Sequence, residues 1–324
     1  MSATTLKGES GPRLKHEKPA EAQMYGKNDL RATLQPRPAP APETPFKGAS
    51  YCRFYEEPPS EEGPLHQSWY GRGQNLIVAY SKVRSGAVLE REDQPDEYAL
   101  LIPAAGMRVT VSAGNESETV EGPSIVFVPP GASRIEALED GELFRLITTR
   151  STDLAAKCIN AAAYGEPDTN VPPFEPWPEP VGGYCIRAYR GDVPPEPGRF
   201  GRLYRGSTVM VNFSSGMIGP RAPSNLSPHH HDDFEQYSVA TSGDYIHHLR
   251  WPWVSDSSFW REDEHVRCAA PSVAVIPPPA THTSQGMSEG LNRLADAFCP
   301  PRRDFSARAG WVLNAADYPM PEDT

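Results

Sequence analysis

The 324-residue chain contains no apolar run approaching the roughly 20 residues that a membrane-spanning helix needs. Its opening stretch, Met1 to Glu21, lacks the hydrophobic core of a secretory signal, so a cytoplasmic location without a membrane partner is expected. No block of Lys and Arg stands out either. With 31 basic against 42 acidic residues the net charge is −11, which disfavours nucleic acid and anionic membrane surfaces as partners. The five cysteines (Cys52, Cys158, Cys185, Cys268, Cys299) are odd in number and include no close pair, which suits reduced thiols rather than a disulfide framework. Helical periodicity is scarce too. The one clear pattern runs from Thr152 to Ala163, with Ser151 or Thr152 placed to cap it.

What is abundant is punctuation. The 36 prolines and 26 glycines divide the chain into short Val/Ile/Tyr-rich runs, the texture of an all-β protein, and the length suits about two domains. Residues 1–48 are polar and then Pro-rich, and read as an extended or disordered arm; wrapping a second subunit of a homo-oligomer is one use for it. Residues 49–150 carry strands such as Asn75 to Tyr80, Tyr98 to Ile102, Met107 to Val111 and Ser124 to Val128. Residues 151–183 hold the helix and a Pro-rich linker, and residues 184–324 return to strands.

The two halves repeat. Ser124 to Arg134 matches Ser272 to His282 in character, each a buried strand leaving through a proline turn, with Arg134 in one copy where the other has His282. Glu97 likewise matches Glu235, which sets Arg91 and Asp93 against His229 and His231. On a strand, alternate residues share a face, so His229 and His231 converge while His230 faces away as a spacer. Glu235 and His282 complete three imidazoles and one carboxylate, a ligand set for a divalent transition metal. Arg134 cannot donate a lone pair, so only the second copy is expected to hold an ion; an anion pocket at Arg134 is the alternative for the first.

These residues resemble the motifs of the cupin superfamily, and their duplication resembles a bicupin, two jelly-roll (double-stranded β-helix) barrels in one chain. The first cupin motif pairs two histidines one residue apart with a glutamate three or four residues later and a glycine beyond, here His229, His231, Glu235 and Gly243. The second has a proline, a glycine and a histidine, here Pro277, Pro279 in place of the glycine, and His282. The glycine that usually opens the first motif is absent, and Gly286 replaces the asparagine that usually closes the second. The long interval between the motifs implies an inserted loop around Trp251 to Val266. The likeness covers roughly residues 70–150 and 200–300. It implies a degenerate N-terminal barrel and a metal-binding C-terminal one.

Four protein ligands leave about two positions on an ion that prefers about six. Fe(II) is favoured, with Mn(II), Zn(II) and Ni(II) as alternatives. The substrate expected is a small, anionic, oxygen-rich molecule. If Ser242-Gly243 is a two-residue hairpin, Glu235 pairs across from Arg250 and Tyr237 from His248, which turns Arg250, His248 and Tyr237 inward as substrate clamp and proton-transfer groups. A three-residue turn exchanges His247 and His248. Trp251, Trp253 and Trp260 suggest an aromatic wall or a core cover, and Gln285 a hydrogen bond behind His282. The function expected first is an Fe(II) dioxygenase acting on an aromatic, enolic or diketone-type acid. A redox-neutral lyase, hydrolase, isomerase or decarboxylase is the second reading, and a non-catalytic small-molecule-binding protein the third.

Overall fold

A computed structural model describes Leu30 and residues 45–322, so the expected arm lies outside the described residues except for Leu30 and its last four positions. The N-terminal half contains β1 (Ser50–Arg53), β2 (Glu61–Glu62), β3 (His66–Arg72), β4 (Leu76–Val83), β5 (Val88–Gln94), β6 (Tyr98–Ile102), β7 (Arg108–Ala113), β8 (Glu116–Glu121), β9 (Ser124–Val128), β10 (Gly131–Ala137) and β11 (Gly141–Thr148). A single helical turn, α1 (Thr152–Ala155), follows. The C-terminal half contains β12 (Arg187–Arg190), β13 (Leu203–Arg205), β14 (Met210–Phe213), β15 (Met217–Ile218), β16 (Gln236–Ser242), β17 (Asp244–Arg250), β18 (Glu264–Ala269), β19 (Ser272–Ile276), β20 (Thr281–Gly286) and β21 (Leu291–Phe298), then a helical turn α2 (Arg303–Ser306). No helix among the described residues is long and apolar enough to cross a membrane.

The helix expected over Thr152 to Ala163 is only α1 and a separate 3-10 turn, Ala161–Tyr164. Its backbone and capping groups are used elsewhere. Ser151 makes no cap and donates to Gln94, the Ile159 N–H donates to Tyr70 O, and the Asn160 amide bonds both backbone groups of Arg72.

Each half builds a large and a small sheet. In the first barrel the order β12-β9-β6-β11-β4-β3-β2 stands against β5-β10-β7-β8; in the second, β1-β19-β16-β21-β14-β13, with β15 beside β21, stands against β18-β17-β20. The halves exchange strands. β1 precedes the first barrel yet pairs with β19 of the second (Arg53 opposite Ser272), and β12 precedes the second yet pairs with β9 of the first (Arg190 opposite Ser124). The ranges 49–150 and 184–324 therefore each begin on a strand that covers an edge of the other barrel, where an uncovered β9 or β19 would present open hydrogen-bonding groups.

The two large sheets pack back to back. Leu76, Val78 and Tyr80 of β4 share one core with Val211, Phe213, Tyr237, Val239 and Val275, whereas Ile77 and Ala79 face the interior of the first barrel with Val109, Val111 and Ile135. Strands of the large sheets are thus apolar on both faces, which is why β4, β6, β9 and β19 read as unbroken hydrophobic runs. The face of β16 that carries Tyr237 and Val239 belongs to the interface between barrels. Its other face, with Gln236, Ser238 and Ala240, looks into the second barrel.

Candidate metal centre

His229 lies on the extended segment before β16 and forms a bridge with His282 of β20, the two residues exchanging backbone N–H···O bonds of 3.0 and 2.7 Å. That pairing brings their rings to 4.5 Å, with His231 at 5.0 Å from His229 and 5.2 Å from His282. All three side chains are buried, and one nitrogen from each lies within 4.8 Å of the others. His229 Nδ1 donates to Ser227 O at 3.0 Å and His282 Nδ1 to Ala280 O at 2.9 Å. A carbonyl can only accept, so each Nδ1 carries the proton and each Nε2 keeps its lone pair for a ligand bond. Burial, with Arg302, His229 and His282 nearby, holds the His231 imidazole well below its ordinary value and keeps it neutral. His230 turns to Asp232 at 3.4 Å.

Glu235 does not join the triad. Its Oε2 accepts the Gln74 N–H at 2.7 Å and the Tyr237 hydroxyl at 2.6 Å, on the face of β16 that meets the other barrel. The side chain that reaches the imidazoles is its neighbour Gln236, whose Oε1 lies 2.9 Å from His231 Nε2. The amide orientation is fixed from behind, because Nε2 donates to Asp296 Oδ1 at 3.1 Å and to Ser238 Oγ at 3.0 Å, and a carboxylate can only accept. An amide oxygen and an imidazole nitrogen this close either share a proton or share a cation. Adjacent donors on one ion with bonds of about 2.1 Å sit about 3 Å apart. The three imidazoles therefore fit a metal, and Gln236 Oε1 stands beside His231 Nε2 where a fourth donor can sit.

This donor set is neutral. Asp296 lies behind Gln236, bonded to its amide. A wall beside it is aromatic: Phe234 stacks on His231 at 4.4 Å, Phe298 meets the same ring edge-on at 5.9 Å, and the Arg302 guanidinium lies over Phe234 and Phe298 at 4.8 and 4.9 Å.

The hairpin expected at Ser242-Gly243 does not form. β16 belongs to the large sheet and β17 to the small one, and Gly243 (φ +91°) carries the chain between them where a Cβ would meet the Asn292 Cα at 2.8 Å. The parity of β17 therefore follows its pairing with β20, where His247 stands opposite Ser284 and Leu249 opposite His282. His247 is the inward residue, fully buried, with Nδ1 2.8 Å from Ser284 Oγ and Nε2 without a hydrogen-bond partner. His248 faces out to His265 at 2.8 Å, and Arg250 is exposed in an ion pair with Asp263 at 2.5 Å. Tyr237 is buried between the barrels. None of the three is brought to the imidazoles.

Trp251 is buried beside Leu249 and Ala280, whereas Trp253 and Trp260 stack on each other at the surface, 4.6 Å apart. Gln285 turns outward and donates to Arg221 O. In the first barrel Arg134 also points outward, to Glu136 at 2.5 Å and Glu90 at 3.7 Å, because a register shift between Gly131 and Ser133 makes Ser133 the inward residue opposite Arg91. This removes the expected anion pocket at Arg134. Asp93 is exposed, and Glu97 bonds Ser207 and Tyr318 of the other half.

Sequence reading missed Gln236 and Asp296, and offered His247 only as the alternative to His248. A signal for Gln236 was available in the strict alternation of β16: once Tyr237 and Val239 are given to one face, residue 236 rather than 235 shares the face of Ser238.

No family model matches the chain, and no curated protein matches it. Among solved structures it is similar to AerE from Microcystis aeruginosa, at 10% identity and a TM-score of 0.51 over 75% of this chain and 96% of that one. It also matches the oxalate decarboxylase of Lactobacillus farciminis in a formate complex (15% identity, TM-score 0.43, 75% and 83% covered) and a variant of the Bacillus subtilis oxalate decarboxylase (12%, 0.47, 80% and 79%). With its sheets paired as described, the chain has the bicupin fold, two double-stranded β-helix barrels in a single polypeptide.

Proposed function

We propose that the protein is a metal-dependent enzyme whose single centre lies in the C-terminal barrel, with His229, His231, His282 and Gln236 holding one divalent ion. The observation that carries this reading is the orientation of Gln236, whose amide is held by Asp296 and Ser238 so that Oε1 meets His231. An uncharged donor set leaves the charge of the ion to be balanced by what binds there. A small acid offering two oxygens, such as an enolate, a catecholic compound, a diketone or a 2-hydroxy acid, supplies that balance and fills about two positions. When bound, the ion supplies either Lewis-acid polarisation of a carbonyl or a redox link between substrate and dioxygen.

The chain's own residues do the rest. Phe234 and Phe298 keep water from one side of His231, and Arg302 adds positive charge behind them. An Fe(II) dioxygenase is the reading we favour, since Glu235, the acid of the motif, is engaged between the barrels and not with the imidazoles. His247 supports the second reading, a redox-neutral lyase, hydrolase, isomerase or decarboxylase. Its unpartnered Nε2 lies in the barrel interior, and Ser284 orients the ring so that it can pass a proton.

Anaerobic purification with metal analysis, followed by oxygen-consumption screening over small phenolic, diketone and 2-hydroxy acids, tests the proposal. Dioxygen uptake stoichiometric with substrate is the expected result. Turnover without oxygen on a Zn- or Mn-loaded protein would establish the redox-neutral reading. A protein that takes up no divalent metal under any condition would overturn both.

A further inference from the structure

The first barrel has a partly open pocket of about 170 Å³, lined by Leu89 and Leu154 and by charged side chains. Nearly all of those charges are neutralised by neighbours. Arg91 binds Asp153 through two bonds of 2.6 and 3.1 Å, Lys157 binds Glu61 at 2.8 Å, and Glu90 lies 3.7 Å from Arg134. Arg145 is the exception. It is 4% exposed and lines the cavity, yet among the described residues its side chain makes no hydrogen bond and no ion pair, and its Nε is buried without a partner. A guanidinium that lines a pocket with its Nε buried and unpaired marks a place where an anion can complete the structure.

The repeat explains why it is there. Tyr98 of β6 stands opposite Val128 as Gln236 of β16 stands opposite Ile276. Two residues further along each strand, Leu100 pairs with Arg145 and Ser238 pairs with Asp296. Arg145 thus occupies the position of Asp296, the carboxylate that orients a cation ligand in the second barrel. One barrel keeps a negative charge beneath its site and the other a positive one.

We propose that the N-terminal barrel binds a small monoanionic organic carboxylate, its oxygens on the Arg145 guanidinium. Arg145 is the one cation of the lining without a hydrogen bond or ion pair among the described residues, so a single carboxylate group is matched. A doubly charged phosphate would face Glu61, Glu90 and Asp153 with nothing to offset its second charge. The inference does not depend on the metal centre of the other barrel.

The test uses the full chain stripped of metal, in chloride-free buffer, titrated with acetate, butyrate and benzoate, with inorganic phosphate as comparison. Calorimetry should show saturable binding of at least one of the three carboxylates, at least tenfold weaker in Arg145→Met and partly restored in Arg145→Lys. A His231→Ala variant should bind them as the parent does. If Arg145→Met does not fold, Leu154→Trp, which fills the cavity and leaves Arg145 in place, should abolish binding. No saturation by any carboxylate, preference for phosphate, undiminished binding in Arg145→Met or Leu154→Trp, or loss in His231→Ala would overturn the proposal.

Discussion

Glu235 Oε2 accepts the backbone N–H of Gln74 at 2.7 Å, so the acid of the histidine motif ties the second barrel to a loop of the first. The relationship is reciprocal: Glu97 Oε2 accepts the N–H of Ser207 at 2.8 Å. Each acceptor sits against a glycine, Gly73 and Gly206, where an added Cβ would stand 2.6 and 2.8 Å from the carboxylate oxygen. Arg72-Gly73 and Arg205-Gly206 are therefore the same feature repeated, and both barrels are docked by one device used twice. Burial raises both carboxyls above the usual range, while the donors from backbone and tyrosine favour the ionised form.

Exchange of Glu235 and Gln236 for alanine should separate docking from metal binding. Glu235→Ala leaves the Gln74 N–H and the Tyr237 hydroxyl proton without an acceptor in a buried place, which destabilises by about 2–4 kcal/mol. It should still hold one metal per chain. Gln236→Ala should lose metal while melting close to the parent. Elemental analysis beside calorimetric melting distinguishes the two, and metal loss from Glu235→Ala at unchanged stability would refute the assignment.

Asp296→Ala should free the Gln236 amide to rotate. Groups behind metal ligands are worth about 10–100-fold in affinity, and a loss in that range is expected by competition with a chelator. Unchanged affinity would mean that Gln236 is not oriented by Asp296.

Acid sensitivity should depend on His247. Burial pushes its imidazole down to about 3, below an unfolded value of about 6.5. The unfolded chain thus binds a proton that the folded one refuses. The stability held above about pH 6.5 is lost as pH falls towards 3, at up to about 1.4 kcal/mol per pH unit. His247→Gln does not titrate and its amide can still meet Ser284, so its urea midpoint should fall less between pH 7 and pH 4.5 than that of the parent. Equal slopes would count against a neutral buried His247.

Cutting the chain between Gly183 and Tyr184 should yield two pieces that fail alone. The first lacks β12 on its β9 edge, and the second lacks β1 on its β19 edge. Expressed separately, both are expected to aggregate; expressed together, they should co-elute as one complex with a folded circular-dichroism spectrum. Two soluble, folded, separate pieces would show the exchanged strands to be dispensable.

The strands Ser124 to Val128 and Ser272 to Ile276 were legible with their boundaries because both faces of each are buried and a proline turn ends each. The imidazoles were legible because the spacing of His229 and His231 survives any choice of face. Glu235 against Gln236 was not, since both neighbours are polar and the choice of face is made by Tyr237 and Val239 packing on the other barrel. His247 against His248 depended on a turn that changes sheets rather than closing a hairpin. Arg145 and Asp296 share no local sequence likeness, and only strand register reveals them as counterparts.

The exchanged strands also set a timetable. Tyr51 of β1 bonds Glu264, 213 residues later in the chain. At the usual pace of synthesis, about 5–20 residues per second, β1 waits roughly ten to forty seconds before the strand it covers exists. The first barrel closes once β12 is made, whereas the second waits for β19 and β21, and a chain released before them leaves β1 as an open strand edge for a chaperone or protease to find.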